Sequence, residues 1–294
     1  MQIIPGQMKT AELHTWLQSA IAPRPICFAS TMDENGQPNL SPFSFFNLFG
    51  SNPPTLIFSP ARRVRDNTIK HTLENIYATK EVVINVVTYA MVQQASLSSC
   101  EYPRGTSEFE KSGFTPLASE KIKPFRVKES PVQLECIVKQ VIETGQEGGA
   151  GNLVICEPVL IHINDNILNS QGAIDPHKID LVARMGADYY CRASGDAVFE
   201  VAKPITALGI GVDALPATIR NSHILTGNNL GQLANVQQQP VIDPAFEDAH
   251  LRNIFQYYSI TPEEMEKELH RYAQQLLDKQ QVHEAWQVLL AGTF

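Results

Sequence analysis

The 294-residue sequence is poor in the features that mark several common protein classes. Its five cysteines form no CxxC pair, which argues against a disulfide framework and against a zinc site. No apolar run approaches the roughly 18 residues that can cross a bilayer, and the first residues lack the charged and apolar regions of a signal peptide. We therefore expect a cytoplasmic protein with no membrane partner.

Several sequence motifs of known chemistry are absent as well. No GxGxxG follows a predicted strand, and no GK[ST] closes a glycine-rich loop, so a Rossmann fold and a P-loop have no support. The eight histidines form no HxxxH or HxH pair, which argues against a metal site, and no GxSxG elbow marks a serine hydrolase. The net charge of −8 is unlike that of a nucleic-acid-binding protein, which needs clustered Lys and Arg.

The composition that remains is that of a globular protein, with 43% apolar and 18% charged residues. Strand-like patterns dominate the first two thirds of the chain, and helical patterns dominate the end. We therefore predict two domains, a β-rich body over residues 1–205 and a mostly helical extension over residues 206–294.

Short strands and helices alternate along the β-rich body. Asn35-Gly36 predicts a hairpin turn after the strand at 25–31. The helix over 66–79 is expected to begin with Asp66 or Asn67 as N-cap. The other predicted elements are a short helix near the N-terminus, a helix at 91–99, and strands at 55–60, 82–87, 131–144 and 152–164.

Gly148, Gly149 and Gly151 lie between the last two predicted strands. We interpret them as a hairpin loop; a phosphate-binding loop is the alternative, although the following helix that such a loop needs is missing. Cys136 and Cys156 lie within these strands and are predicted to be small buried apolar residues.

The helical extension carries predicted helices at 243–258 and 261–291, after an irregular stretch that begins near Ala207. Thr261 and Pro262 are a typical helix start. The helix that follows has one apolar face, which consists of Met265, Leu269, Tyr272, Leu276 and Leu277. This face is expected to pack against the β-rich body or a second subunit, or else within a self-contained helical hairpin.

The most informative stretch is 22–77, which holds in order an Ala-Pro-Arg-Pro entry at 22–25, the segment NLSPFSFFN at 39–47, the Pro53-Pro54 break, a strand that ends at Ser59, and KHTLENI at 70–76. The segment 108–114 (EFEKSGF), Ile174-Asp175 and the segment 184–190 (RMGADYY) follow. In this order the motifs resemble those of the flavin reductase-like, FMN-binding split-barrel family, over roughly residues 15–205.

The resemblance implies an all-β fold, a six-stranded or similar split barrel with flanking helices, which forms a homodimer with FMN at or near the interface. It implies an NAD(P)H-dependent oxidoreductase in which the flavin carries the hydride chemistry, so no catalytic side chain is assigned. The implied cofactor-binding residues are Arg24, Pro25, Thr31, Asn39, Ser41, Pro42, Ser44, Asn47, Ser59, Arg62, Arg65, Asp66, Thr68, Lys70 and Thr72.

Two basic segments are candidates for the flavin phosphate. One is Ser59 with the arginines from Arg62 to Arg65 at the start of the predicted 66–79 helix, and the other is Lys70 with Thr72. The family motif has an aspartate where this chain has His71, which leaves the choice open. Taken alone, the arginines also fit a solvated surface run, and Ser41, Ser44 and Asn47 also fit loop groups that cap their own backbone.

Three functions remain open at this point. The first is flavin reductase-type hydride transfer, and the second is electron transfer of the flavoredoxin kind, with a reduced carrier as donor. The third is a flavin-binding module without enzymatic activity. In each of them the helical extension either restricts access to the flavin or adds only stability.

Overall fold

A computed structural model describes residues 1–202 and 207–292 of the chain. The chain divides into two compact units, the N-terminal unit Met1–Phe199 and the C-terminal unit Glu200–Phe294. The domain boundary that we expected at 205/206 lies outside the described residues.

The strands are β1 Cys27–Met32, β2 Pro38–Phe43, β3 Phe46–Ser51, β4 Pro54–Phe58, β5 Glu81–Val86, β6 Pro116–Leu117, β7 Arg126–Val127, β8 Val132–Glu143, β9 Asn152–Ile163, β10 Val182–Arg184 and β11 Tyr190–Arg192. The α-helices are α1 Thr10–Ala20, α2 His71–Thr79, α3 Val92–Leu97, α4 Glu108–Ser112, α5 Ala217–Arg220, α6 Gly227–Ala234, α7 Ala249–Tyr257, α8 Pro262–Asp278 and α9 Val282–Ala291. Short 3₁₀ turns occur at Pro5–Gln7, Tyr89–Met91, Asp165–Ile167, Gly195–Ala197 and Val212–Ala214.

The N-terminal unit is built on an antiparallel sheet that has seven strands within the described residues, in the order β2-β1-β5-β8-β9-β4-β3. β1 and β2 form the predicted hairpin, and Gly36 in its turn has a φ of +84°, which favours glycine. β8 and β9 form the predicted long hairpin, so Gly148, Gly149 and Gly151 belong to a hairpin loop.

Both faces of the sheet are buried at its central strands. Successive side chains of a strand point to opposite faces, so each central strand contributes residues to two core clusters. In β1, Cys27 and Ala29 join one core cluster with Phe58 and Ile84. Phe28, between them, joins a second cluster, together with apolar residues of α3 and α4. This double burial makes β1 a core strand, and its polar residues Ser30 and Thr31 are fully buried as well.

The fold differs from the expected one in its helix content and strand number. The expected all-β label is not matched, because helices α1 to α4 are part of the N-terminal unit and the C-terminal unit is helical. The main sheet has seven strands over the described residues, where six or a similar number were expected. None of the helices at positions 1–202 or 207–292 is long and apolar enough to cross a membrane.

α2 begins five residues later than the sequence predicted. The carboxylate of Asp66 accepts hydrogen bonds from the backbone N–H and the hydroxyl of Thr68, and Asn67 has a φ of +57°. These residues form a tight turn instead of a helix start. Lys70 is the residue that precedes the first helical residue, His71.

The C-terminal unit has its own apolar core. Trp286 is fully buried at its centre and donates its indole N–H to the Leu233 carbonyl oxygen at 3.2 Å. α6, which was expected to be irregular chain, begins at a reciprocal capping box between Thr226 and Asn229.

The predicted helices of the extension are confirmed with two corrections. The 261–291 segment forms two helices, α8 and α9, because Gln280 between them has a φ of +62°. The predicted 243–258 helix begins only at Ala249, after Asp248 caps it by accepting from the Leu251 N–H at 2.7 Å.

The apolar face of α8 packs within the C-terminal unit. Leu269, Leu276 and Leu277 are buried in that unit's core, and Met265 and Tyr272 pack against it. The apolar face of α8 therefore does not need the β-rich body or a second subunit to cover it. Its burial agrees with the alternative expectation, that the helical extension is self-contained.

Candidate functional site

An open polar cleft lies on the N-terminal unit where β2, the start of α2 and the chain around α3 and α4 meet. The residues that line it are Asn39, Ser41, Arg63, Lys70, His71, Thr72, Ser98, Ser99, Cys100, Glu101, Tyr102 and Glu108. Four of the predicted cofactor-binding residues therefore share this cleft, namely Asn39, Ser41, Lys70 and Thr72. A neighbouring cleft shares Asn39, His71 and Glu108 with the first.

Lys70 carries a positive charge at the edge of the cleft without an anionic partner. Its Nζ lies 5.0 Å from the centre of the Phe43 ring, and the ammonium makes no hydrogen bond or ion pair with the described residues. Burial lowers the pKa of Lys70, with Arg63 lowering it further and Glu101 opposing both through space. A partly buried cation of this kind is stabilised by an anion that enters the cleft.

The start of α2 adds a second feature that favours an anion. Lys70 precedes the first helical residue, and no side chain caps the helix there. The first backbone N–H groups of a helix have no partner within the helix and lie at the positive end of its dipole. The Leu73 and Glu74 N–H groups bond to the Lys70 carbonyl oxygen. The N–H groups of His71 and Thr72 have no hydrogen bond among the described residues, so the cleft combines them with the Lys70 ammonium.

The arginine run is already occupied by partners within the chain. Arg62 donates to the Asn67 side chain at 2.7 Å, and Arg63 donates to the Thr68 hydroxyl at 2.8 Å. Arg65 pairs with Asp66 and with Glu101. These arginines close the turn that precedes α2, and of the three only Arg63 lines the cleft.

The pKa values of the acids in this turn reflect the same contacts. The hydrogen bonds from Thr68, followed by that from Arg65, lower the pKa of Asp66 to about 2. The hydrogen bond from Arg65 is the main reason why the pKa of Glu101 lies below its usual value. Both acids are thus charged partners of the arginines over the whole physiological range.

Ser59 lies beneath the glycine loop, outside the lining of the cleft. Its hydroxyl accepts from the Asn152 N–H at 3.1 Å, and a Cβ on Gly151 would come within 3.0 Å of that hydroxyl. Gly148 packs equally closely on the carbonyl oxygens of Arg63 and Val64. The glycine loop therefore supports the arginine turn through close backbone contact.

Arg24 ties separate segments of the N-terminal unit together. It is buried, and its guanidinium donates to the Ser44 hydroxyl at 3.3 Å and to the carbonyl oxygens of Ile21 at 2.6 Å and Met185 at 2.9 Å. Its backbone pairs with Arg184. The guanidinium is therefore committed within the chain, and it orients the Ser44 hydroxyl.

The remaining predicted residues are spread along β1 to β3. Pro25 precedes β1, and Pro42 lies in β2 opposite Phe28. Asn47 lies on the exposed strand β3, where its side chain accepts from the Leu48 N–H at 2.8 Å. Thr31 is fully buried beneath the cleft.

Buried polar groups form a hydrogen-bonded chain under the cleft. The Thr72 hydroxyl donates to Asn39 Oδ1 at 2.7 Å, and Asn39 Nδ2 donates to Glu108 Oε1 at 3.0 Å. Asn75 Nδ2 donates to the Thr31 hydroxyl at 3.1 Å. This chain joins β1, β2, α2 and α4 and fixes the floor of the cleft.

Several lining residues were not among the predicted cofactor-binding residues. Ser98, Ser99 and Glu101 lie after α3, and Glu108 begins α4. Glu108 belongs to the 108–114 motif, so the motif itself was the signal that could have placed it at the site. Burial is the main reason why the pKa of Glu108 is raised.

The described residues form no metal-binding cluster, and three of the five cysteines are buried. Among the described residues, no group of three or more His, Cys, Asp or Glu side chains is arranged to hold a metal ion. Cys27, Cys136 and Cys156 are buried in the sheet core, as predicted for the last two. Burial raises the pKa of Cys27, and the contact with Cys156 together with burial raises that of Cys136, which keeps both thiols protonated.

A protein-family model, the flavin reductase like domain, matches residues 19–177 of the chain. An uncharacterised protein of Aquifex aeolicus is 32% identical over 201 residues, which are 68% of this chain and the whole of that protein. The segment that the family model matches lies within the N-terminal unit.

Two solved structures resemble the chain over a similar share of its length. Nitrilotriacetate monooxygenase component B from Bacillus cereus has a TM-score of 0.64 and 26% identity, and the match covers 68% of this chain and 98% of that one. A protein from Shewanella frigidimarina, provisionally named a flavin reductase with a split-barrel domain, has a TM-score of 0.59 and 28% identity, with 69% and 99% covered.

Proposed function

The chain belongs to the flavin reductase-like family, and from this premise we propose that it binds FMN in the polar cleft and transfers hydride between NAD(P)H and that flavin. The observation that carries the proposal is the unpaired Lys70 ammonium at the uncapped start of α2. FMN presents a doubly charged phosphate, which matches a cation beside free N–H groups.

The residues of the cleft fit the other parts of FMN as well. Ser41 offers a small hydroxyl group, and Ser99, whose proton goes to the Ser96 carbonyl oxygen, offers an acceptor; both suit the polar edges of the ring and the ribityl chain. Arg24 keeps the Ser44 hydroxyl in a fixed orientation at the turn between β2 and β3. Small side chains at these positions let a flat ring approach the backbone.

The chemistry of the reaction belongs to the cofactor, because the flavin ring accepts and returns hydride when it is bound. The work of this chain is to hold the phosphate with Lys70 and the N–H groups of α2, to orient the ring, and to limit access of water. No side chain needs to act as a general acid or base in the hydride step, so we assign no catalytic residue.

We further propose that two copies of the chain associate through exposed apolar residues of β3 and β9, two strands that β4 separates in the sheet. Leu48 and Phe49 on β3, and Val159, Ile161 and Ile163 on β9, are each more than 40% exposed. The last three alternate along one face of β9. An apolar strand face of this kind is typical of a surface that another subunit covers.

The test is a titration of the purified full-length chain with FMN, followed by steady-state oxidation of NADH and of NADPH. We expect saturable FMN binding and nucleotide oxidation that depends on FMN. FMN binding without oxidation of either nucleotide, but with reduction by a dithionite-reduced carrier, would favour electron transfer over the reductase. The absence of FMN binding would reject the proposal.

A further inference from the structure

Glu108 controls the direction of the hydrogen bonds beneath the cleft. It is only 5% exposed, and its two carboxylate oxygens accept from the Leu40 N–H at 3.1 Å and from Asn39 Nδ2 at 3.0 Å. Burial raises the pKa of Glu108, but the hydrogen bonds from the Leu40 N–H and from Asn39 favour the ionised form, which can only accept hydrogen bonds. Asn39 must therefore turn its amide nitrogen towards Glu108 and its amide oxygen the other way.

The orientation of Asn39 decides what the Thr72 hydroxyl can do. Asn39 Oδ1 is an acceptor, so Thr72 donates its single proton to it at 2.7 Å. Thr31 lies on the same oxygen at 3.4 Å. Thr72 lines the cleft although only 1% of it is exposed, and with its proton committed inside the chain its hydroxyl has only lone pairs to offer there.

We propose that Glu108 is a specificity-determining residue which, by orienting Asn39, makes the Thr72 side chain a hydrogen-bond acceptor towards the ligand. This inference rests on the proposed function and deepens it. The side chain of Thr72 then selects a hydroxyl or N–H group of the flavin, such as those of the ribityl chain or the ring. The phosphate, whose oxygens accept hydrogen bonds, is left to Lys70 and the backbone N–H groups of α2.

Neutralising Glu108 reverses this arrangement. In Glu108→Gln the side-chain oxygen keeps its bond from the Leu40 N–H, and the new NH₂ group faces Asn39. Asn39 must then turn its oxygen towards position 108 and its NH₂ towards Thr72. The Thr72 proton becomes free to point into the cleft, where it adds a donor for a phosphate.

The experiment measures dissociation constants of FMN and riboflavin for four full-length chains, namely wild type, Glu108→Gln, Thr72→Val and the double variant. The ratio of the riboflavin to the FMN constant isolates the contribution of the phosphate. We expect Glu108→Gln to raise this ratio by roughly tenfold to a hundredfold, the size of one added hydrogen bond to a charged group. The gain must shrink when Thr72 is valine. Glu110→Gln, on the exposed side of α4, is the matched control for the loss of one negative charge.

A merely structural role for Glu108 predicts no rise in the ratio. Disorder beneath the cleft would weaken the binding of both flavins and leave the ratio unchanged or lower. That result, or an equal gain in the Thr72→Val background, overturns the inference. If Glu108→Gln does not fold, Thr72→Val alone tests the inference. The inference predicts that its ratio of riboflavin to FMN constants stays within about twofold of wild type. A roughly tenfold drop in that ratio would overturn the inference, because it would show that Thr72 donates to the phosphate. A wild-type chain that binds neither flavin overturns the proposed function, and this inference with it.

Discussion

Replacement of Lys70 by methionine tests how the cleft binds a phosphate. Methionine keeps the apolar contact with Phe43 but removes the ammonium, which has no hydrogen bond or ion pair within the described chain. A hydrogen bond to a charged group contributes about 1.5–3 kcal/mol. Lys70→Met should therefore weaken FMN binding by roughly tenfold to a hundredfold.

The same substitution should leave riboflavin binding almost unchanged, because riboflavin has no phosphate. It should not lower the free energy of unfolding of the flavin-free chain, since a partly buried and unpaired ammonium is itself unfavourable. Isothermal titration calorimetry with both flavins, and urea unfolding without them, measure these effects.

Arg65→Ala is the matched control for the loss of a positive charge. Arg65 is paired with Asp66 and Glu101 and does not line the cleft, so the variant should keep the FMN constant within about twofold of wild type. Equal losses for FMN and riboflavin in Lys70→Met would refute the reasoning. A larger phosphate-specific loss in Arg65→Ala would place the phosphate at the arginine turn instead.

Three further predictions concern stability and assembly. Burial lowers the pKa of His270, whose Nδ1 lies 2.8 Å from the Ser222 hydroxyl, so the folded C-terminal unit favours the neutral imidazole. Because the unfolded chain takes up a proton on this histidine below about pH 6.5, the C-terminal unit should lose stability as the pH falls below that value. Urea unfolding between about pH 7 and 5 should show this slope, and His270→Asn should flatten it. A chain that ends at Phe199 should bind FMN as the full chain does. A chain that ends at residue 239 should aggregate, because it exposes Leu215, Ile219 and Leu233. Size-exclusion chromatography and FMN titration compare the two truncated chains. Ile161→Glu should halve the mass found by light scattering, and an unchanged mass would exclude β9 from the subunit interface.

Local patterns in the sequence were sufficient to predict much of the fold. The β8–β9 hairpin follows from period-2 alternation around a glycine loop, and the β1–β2 turn follows from Asn35-Gly36. These features depend on residues that are close together in the chain. The start of α2 was misplaced because Asp66 bonds to Thr68 and so forms a turn, although an aspartate there is also a good helix cap.

The site was predicted less completely because its contacts join distant residues. The sequence around Arg65 indicates a free phosphate ligand. In the fold Arg65 pairs with Glu101, which lies 36 residues further along the chain, so the sequence near Arg65 does not reveal this partner. Glu108 contacts Asn39 across 69 residues, so the 108–114 motif could indicate that it belongs to the site, but only the fold shows that it lies beneath the cleft. Lys70 was predicted by its motif, but only the fold shows that its charge lacks a partner among the described residues.

Titration of the full-length chain with FMN, followed by the quenching of flavin fluorescence, tests the central claim most directly. The account predicts saturable binding of one FMN per chain in the micromolar range or tighter, with riboflavin bound at least about tenfold more weakly because it lacks the phosphate. The account would be contradicted if FMN at tens of micromolar produced no saturable change, or if the two flavins bound equally well.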